Sequence, residues 1–271
     1  MSSQYIGARH IDVWLPEGYD ESRDAYSVLY AHDGQNLFIP WQVGFQPIDW
    51  GVDEAVQRLM DEGAIRNTIV VGIWNTPNRI ADYLPWHAYK LAAEEYRTRI
   101  HEYMSEEPVS REYLRFIVEE LKPHIDATYR TRPERDETFI MGSSMGGLIS
   151  LYGLTRYPDV FGGAGCVSTH WPSTMMAGNP DINTPFLDYL RESIPSPGEH
   201  RIYFDYGTEE LDGQYEPHQR VVDEVISELG YERGQLWQTQ EFEGAGHNEP
   251  AWRERVHIPL KFLLGPADKK E

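Results

Sequence analysis

Residues 138–148 read Thr-Phe-Ile-Met-Gly-Ser-Ser-Met-Gly-Gly-Leu. Gly142, Ser144 and Gly146 have the spacing Gly-x-Ser-x-Gly, an apolar strand-like stretch precedes them, and Met145 to Tyr157 reads as a helix. Strand, sharp turn and helix are the context in which a serine is lifted clear of a sheet edge as a nucleophile. The turn crowds its neighbours, so glycines two residues either side remove the clashes a Cβ would cause. Ser143 does not fit, because Met141 and Met145 would occupy its flanking positions. The reading makes Ser144 the candidate nucleophile, against the plainer reading of a Gly-Ser loop entering a helix.

Working outward, strands and helices alternate. His10–Leu15, Ser27–Ala31 and Thr68–Trp74 read as strands, and Val52–Met60 as a helix with Asp53 and Glu54 suited to its first turn. Ser110 is expected to cap a long helix reaching about Thr128. Gly163–Val167, Arg201–Tyr206 and Leu236–Phe242 continue the strands. Glu216–Leu229 is a helix, and Trp252–Leu264 closes the chain as one, with Pro259 expected to kink or shorten it. Alternation from residue 27 onward predicts a largely parallel sheet covered by helices on both faces, with the N-terminal strand antiparallel to the rest. All 271 residues then form one α/β domain. Two segments break the rhythm: 75–109, with Trp86, His87, Tyr89, Tyr96 and Tyr103, and the proline-rich 169–199. Both are expected to be pocket walls or a lid, since insertions at the carboxyl ends of strands hold substrate in such folds; plain surface loops are the alternative.

The formal charge is −20, which speaks against nucleic acid or an anionic membrane as partner. Cys166 is the one cysteine, so no intrachain disulfide forms, and its apolar setting suggests a buried structural thiol. No basic leader or span of about 20 apolar residues is visible. A soluble, cytoplasmic protein is expected, with homo-oligomer formation left open. Neither a His-Glu-x-x-His run nor paired cysteines occur, and the Gly-rich pieces lack phosphate-loop and dinucleotide patterns, so no metal and no cofactor is expected.

A serine needs an adjacent base, itself oriented by a carboxylate. In folds with this turn the chain order is serine, acid, histidine. Of the histidines after Ser144, His170 comes too early, His200 precedes a strand, and His218 and His257 fall in helices. His247, in Glu243-Gly-Ala-Gly-His-Asn-Glu after the last strand, is the candidate base. For the acid, Arg201–Tyr206 runs into Gly207-Thr-Glu-Glu-Leu-Asp-Gly. Asp212 is preferred, Glu210 comes next, and Asp205 lies inside the strand. The oxyanion of a tetrahedral intermediate needs two backbone donors: Met145, and a residue near Gly34 or Gln35.

With Asp33-Gly-Gln-Asn-Leu-Phe38, Val13-Trp-Leu-Pro-Glu-Gly-Tyr19, the Ser144 turn and the His247 loop placed, the chain resembles the Putative esterase family of α/β-hydrolases. That group includes enterochelin esterases, esterase D, feruloyl and acetylxylan esterases, and mycolyltransferases. The resemblance covers nearly the whole chain and takes in Arg79, Tyr83 and Gly207-Thr-Glu. It implies an α/β-hydrolase fold and a carboxylic ester hydrolase. Two extra residues before the helix at Gln219 put the family's acid on Asp212, and its oxyanion donors map to the backbone of Met145 and Gln35. Relatives have His-Gly where this chain has Asp33-Gly34.

The leading expectation is a serine esterase passing through an acyl-enzyme on Ser144. An acyltransferase with the same triad, or a catalytically silent carbohydrate- or partner-binding relative, are the alternatives. Arg79, Tyr83, Trp86, His170 and Trp171 are candidate contacts to a small-molecule or carbohydrate ester, since flat rings stack on sugars and aromatic groups alike.

Overall fold

The structure, a computed structural model, describes residues 1–38, 41–43, 46–101, 104, 107–172, 184–198 and 200–266. Part of the expected insertion at 169–199, residues 173–183 and 199, lies outside these, as does Tyr103.

Seven strands form one sheet: β1 (Ile11–Trp14), β2 (Ser27–His32), β5 (Thr68–Ile73), β6 (Thr138–Ser143), β7 (Gly163–Val167), β8 (Arg201–Gly207) and β9 (Trp237–Phe242). Their order is β1-β5-β2-β6-β7-β8-β9, and β3 (Trp41–Val43) and β4 (Gln46–Ile48) form a separate antiparallel pair. β1 runs antiparallel to β5 and every other pair in the large sheet is parallel. The central strands β2, β5, β6 and β7 are buried from end to end. They are continuous apolar runs because parallel strands covered on both faces have no polar side to alternate with.

Successive residues still point to opposite faces, so the sheet separates two cores. Val28, Tyr30, Ile69, Val71 and Ile140 belong to one core. Leu29, Ala31, Val70, Phe139 and Met141 belong to the other. The second is closed by α1 (Val52–Asp61) and α11 (His257–Leu264), which pack on each other. The first is closed by α7 (Met145–Arg156), α8 (Thr184–Ser193) and α9 (Glu216–Glu228), with α2 (Arg79–Tyr83) and α3 (Trp86–Leu91) against them. α4 (Glu94–Ile100) adds Tyr96 and Ile100 to that core. Cys166 is fully buried in β7, in register with Gly142 of β6. Together these elements are the α/β-hydrolase arrangement.

Two expectations are corrected. Ser110 does not cap its helix: α5 (Ser110–Arg115) has Val109 at its cap, and the Ser110 hydroxyl accepts a hydrogen bond from the Trp86 amide at 2.9 Å. A π-wound turn, Phe116–Leu121, then leads into α6 (Lys122–Thr128). The final helix is two. α10 (Glu249–Arg255) is capped by Asn248, whose side chain accepts from the Ala251 amide, and α11 begins at His257. Pro259 therefore sits in a first turn, where its missing N–H leaves no bond unmade. Among the described residues no helix is long and apolar enough to cross a membrane.

Candidate active site

From Thr138 to Thr155 every residue is buried except Ser144. The turn that exposes it holds Ser144 at φ 57°, ψ −124°, a region that costs a non-glycine residue of order 1–3 kcal/mol and persists only where the surroundings enforce it. The enforcing contacts are the Ser144 amide, which donates to the Val167 carbonyl at 2.9 Å, and the Ser144 carbonyl, which accepts from the His170 amide at 3.2 Å. A Cβ on Gly142 would lie 2.7 Å from the Gly146 carbonyl carbon. That contact is the physical reason for the Gly-x-Ser-x-Gly spacing.

Asp212 follows β8 in a short 3₁₀ turn and is fully buried. Its Oδ1 is 2.5 Å from His247 Nδ1. Its Oδ2 accepts from the Ser168 hydroxyl at 2.5 Å and the Gly207 amide at 2.7 Å. Burial pushes the Asp212 carboxyl up, but the bonds from His247, Ser168 and Gly207 outweigh it and hold the group below the usual carboxylate range. Glu210, the alternative acid, binds the same loop differently: its Oε2 accepts from the His247 amide at 2.9 Å and Asn248 Nδ2 at 3.1 Å. Gly207 lets β8 meet that loop, since a Cβ there would strike the Ala245 carbonyl oxygen.

Behind Asp212 is a network the sequence reading missed. Ser168 Oγ accepts from Trp252 Nε1 at 2.9 Å and Arg255 Nη2 at 2.8 Å while donating to Asp212. The buried Arg255 also reaches Asp205 Oδ1 at 3.2 Å. The His247 ring is met edge-on by Trp252 at 5.0 Å and Tyr215 at 5.6 Å. Position in the chain was the one available signal: Tyr215 three residues after the acid, Trp252 five after the base.

Met145 is the first residue of α7, so its N–H is among those with no partner inside the helix. The Asp33-Gly34-Gln35 loop approaches the same turn: a Cβ on Gly146 would be 3.3 Å from Asp33 Oδ2. Asp33 is buried at φ 56° and is gripped by Arg79, whose Nε and Nη2 donate to its two oxygens at 2.8 and 2.7 Å. Asn75 Nδ2 adds a bond at 2.6 Å. Burial raises the Asp33 carboxyl, and the Arg79 charge with these bonds more than reverses that.

The expected substrate contacts divide. His170 stands at the site, its Nδ1 2.8 Å from the Tyr215 hydroxyl. Arg79 is engaged with Asp33 and remains partly exposed. Tyr83 is wholly buried beneath Asp33, 3.3 Å from its Oδ1. Trp171 is wholly buried against Phe186 and Phe204. Trp86 has Arg111 over its ring at 3.8 Å. Its neighbour His87 bonds the Tyr152 hydroxyl at 2.7 Å, at a residue of α7 about 12 Å along the helix from Ser144. Tyr83 and Trp171 are thus wholly buried packing residues in this structure, while Trp86 is half-buried.

With this geometry in place, comparison with known proteins adds the family. The model of the family described as "Putative esterase" matches residues 2–261. The chain belongs to that family. Membership makes it a hydrolase acting on esters. It is 22% identical over 272 residues to the uncharacterized protein YbbA of Bacillus subtilis (strain 168), covering 98% of this chain and 96% of YbbA. Among solved structures it is similar to an IroE-like serine hydrolase from Shewanella oneidensis, with TM-score 0.69, 22% identity, and coverage of 96% of this chain and 76% of that one. It is similar too to a ferulic acid esterase, with TM-score 0.62, 18% identity, and coverage of 97% and 95%. The enterobactin esterase FES of Shigella flexneri gives TM-score 0.68 at 17% identity, with 97% of this chain covering 57% of FES. At these identities the structural likeness establishes the fold.

Proposed function

We propose that the protein is a serine esterase working through an acyl-enzyme on Ser144. His247 takes the serine proton as general base and returns it to the leaving alcohol; Asp212 orients the imidazole. Water activated by His247 then releases the acid. The backbone amides of Met145 and Gln35 receive the oxyanion of each tetrahedral intermediate. The observation that carries this reading is that Ser144 is the one residue of 138–155 that is not buried, on a turn with φ 57°. The Asp212–His247 contact of 2.5 Å supports it from the neighbouring strand ends. The substrate is a small-molecule or carbohydrate ester, and the site is polar, with Asn75, Arg79, His170 and Gln35 near the turn.

The test is a panel of acetyl, feruloyl, thioester and catecholate-siderophore esters assayed with wild type and Ser144→Ala, with and without an added alcohol acceptor. Turnover that disappears in Ser144→Ala, with an unchanged unfolding midpoint, is the expected result. Turnover close to wild type in that variant overturns the serine mechanism. A dominant ester product when alcohol is added moves the assignment to acyl transfer.

A further inference from the structure

Ser168 is a fully buried polar residue one step beyond β7, and the triad and oxyanion roles give it no part. It sits at φ 42°, in the left-handed region that a non-glycine residue keeps only where its surroundings enforce it. The enforcing bonds come from β8: the Ser168 amide donates to the Asp205 carbonyl at 3.0 Å and to Asp205 Oδ1 at 3.1 Å. A hydroxyl has one proton to give and two lone pairs to receive with. Both lone pairs of Ser168 are engaged by groups that can only donate, Trp252 Nε1 at 2.9 Å and Arg255 Nη2 at 2.8 Å. The one proton therefore has a single place to go, Asp212 Oδ2 at 2.5 Å. The Gly207 amide reaches the same oxygen at 2.7 Å. Two donors thus fill Oδ2, and Oδ1 is left to face His247 Nδ1.

We propose that Ser168, locked as a one-way donor by Trp252 and Arg255, is a positioning residue that fixes the Asp212 carboxylate and through it the tautomer of His247. The assignment rests on the Ser144, His247 and Asp212 roles given above. The chain of bonds has one direction. The indole N–H and the guanidinium donate to the hydroxyl, the hydroxyl donates to the carboxylate, and the carboxylate accepts the Nδ1 proton of the imidazole. His247 Nε2 is then the atom with the free lone pair. It takes the proton when the Ser144 O–H bond breaks and the Oγ electron pair forms the bond to the carbonyl carbon. No proton leaves Ser168, Trp252 or Arg255 at any stage. A bond to an ionised acceptor is stronger than one between neutral groups, and a buried carboxylate oxygen without donors would bear the cost of its lost water. Ser168 therefore also helps keep Asp212 ionised: burial raises that carboxyl, and the bonds from His247, Ser168 and Gly207 bring it below the usual range.

The experiment uses the full chain and an alkyl fluorophosphonate, measuring the second-order rate of Ser144 labelling alongside kcat and KM on a small acetyl ester. Two variants remove the hydroxyl with opposite effects on the backbone. Ser168→Ala keeps a Cβ at φ 42°, whereas Ser168→Gly suits that conformation, so their unfolding midpoints should differ. Their labelling rates and kcat should nonetheless fall by the same factor, about 10- to 100-fold, the worth of one hydrogen bond to a charged group. KM should stay within about twofold of wild type. Trp252→Phe keeps a ring against His247 and frees one lone pair of the hydroxyl. It should slow labelling in the wild-type background and add little when combined with Ser168→Gly, because it acts through Ser168. Labelling of Ser168→Gly at the wild-type rate, or losses that follow the unfolding midpoints rather than the hydroxyl, overturns the proposal while leaving the serine esterase reading intact. Equal losses from Trp252→Phe in the two backgrounds overturn the part given to Trp252. Wild type that never labels at Ser144 overturns both readings.

Discussion

Asp212 receives a donor on each carboxylate oxygen, and this fixes what a substitution can do there. His247 Nδ1 faces Oδ1, while Ser168 and the Gly207 amide face Oδ2. An amide has one acceptor and one donor end, so Asp212→Asn must set its NH₂ against a donor on one side or the other. If its NH₂ turns to His247, the imidazole is driven to the tautomer whose Nε2 already bears a proton and cannot accept the serine's. Turnover should fall by orders of magnitude, about 10⁴ in a well-studied triad, measured as kcat on any accepted ester. Glu210→Gln keeps an oxygen for the His247 amide and Asn248 and should cost no more than a few-fold. The reverse ranking would make Glu210 the orienting acid.

At the scale of elements, the parallel strands and the serine turn are readable because each follows from local chemistry: apolar runs for covered parallel strands, glycines where a Cβ would strike the α7 backbone. What escapes the sequence is whatever depends on packing between distant segments. Ser110 looks like a helix cap until the Trp86 amide reaches it. Ser168 follows β7, while Trp252 and Arg255 share α10, and no spacing announces the convergence of the two pieces behind Asp212. Arg79 is the clearest case, since as a lone basic residue near a pocket it reads as a ligand for an anion. In the structure it neutralises Asp33 beside the first turn of α7, where an unpaired carboxylate would oppose a developing oxyanion. Arg79→Gln should therefore lower kcat/KM for uncharged esters by about tenfold or more, an estimate for a charge left without its partner in a partly exposed pair. Adding Asp33→Asn should restore much of the loss. Loss confined to negatively charged esters, with no rescue, would return Arg79 to substrate binding.

For the whole molecule, the buried His32 and the half-buried His170 make folding sensitive to acid. Desolvation lowers His32 to about 3 and His170 to about 4, with nearby positive charge from Arg79 adding to it in both; Asp33 opposes the shift at His32 and Asp212 at His170. The unfolded chain binds these protons near the ordinary value of about 6.5. As pH falls below that value, the unfolded state is protonated first, and stability drops until the folded values are reached. Denaturant midpoints measured from neutral pH downward should show this decline, and His170→Gln should flatten part of it. A variant that tracks wild type across the range would show that His170 does not carry the effect.

Cys166 lies mid-strand in β7, walled in on both faces of the sheet and opposite Gly142. A thiol reagent can reach it only when the centre of the sheet parts. The chain thus contains its own reporter of opening, one that needs no engineered label and is chemically separate from the serine. Dye incorporation timed beside ester turnover tells a variant that has lost its chemistry from one that has lost its shape.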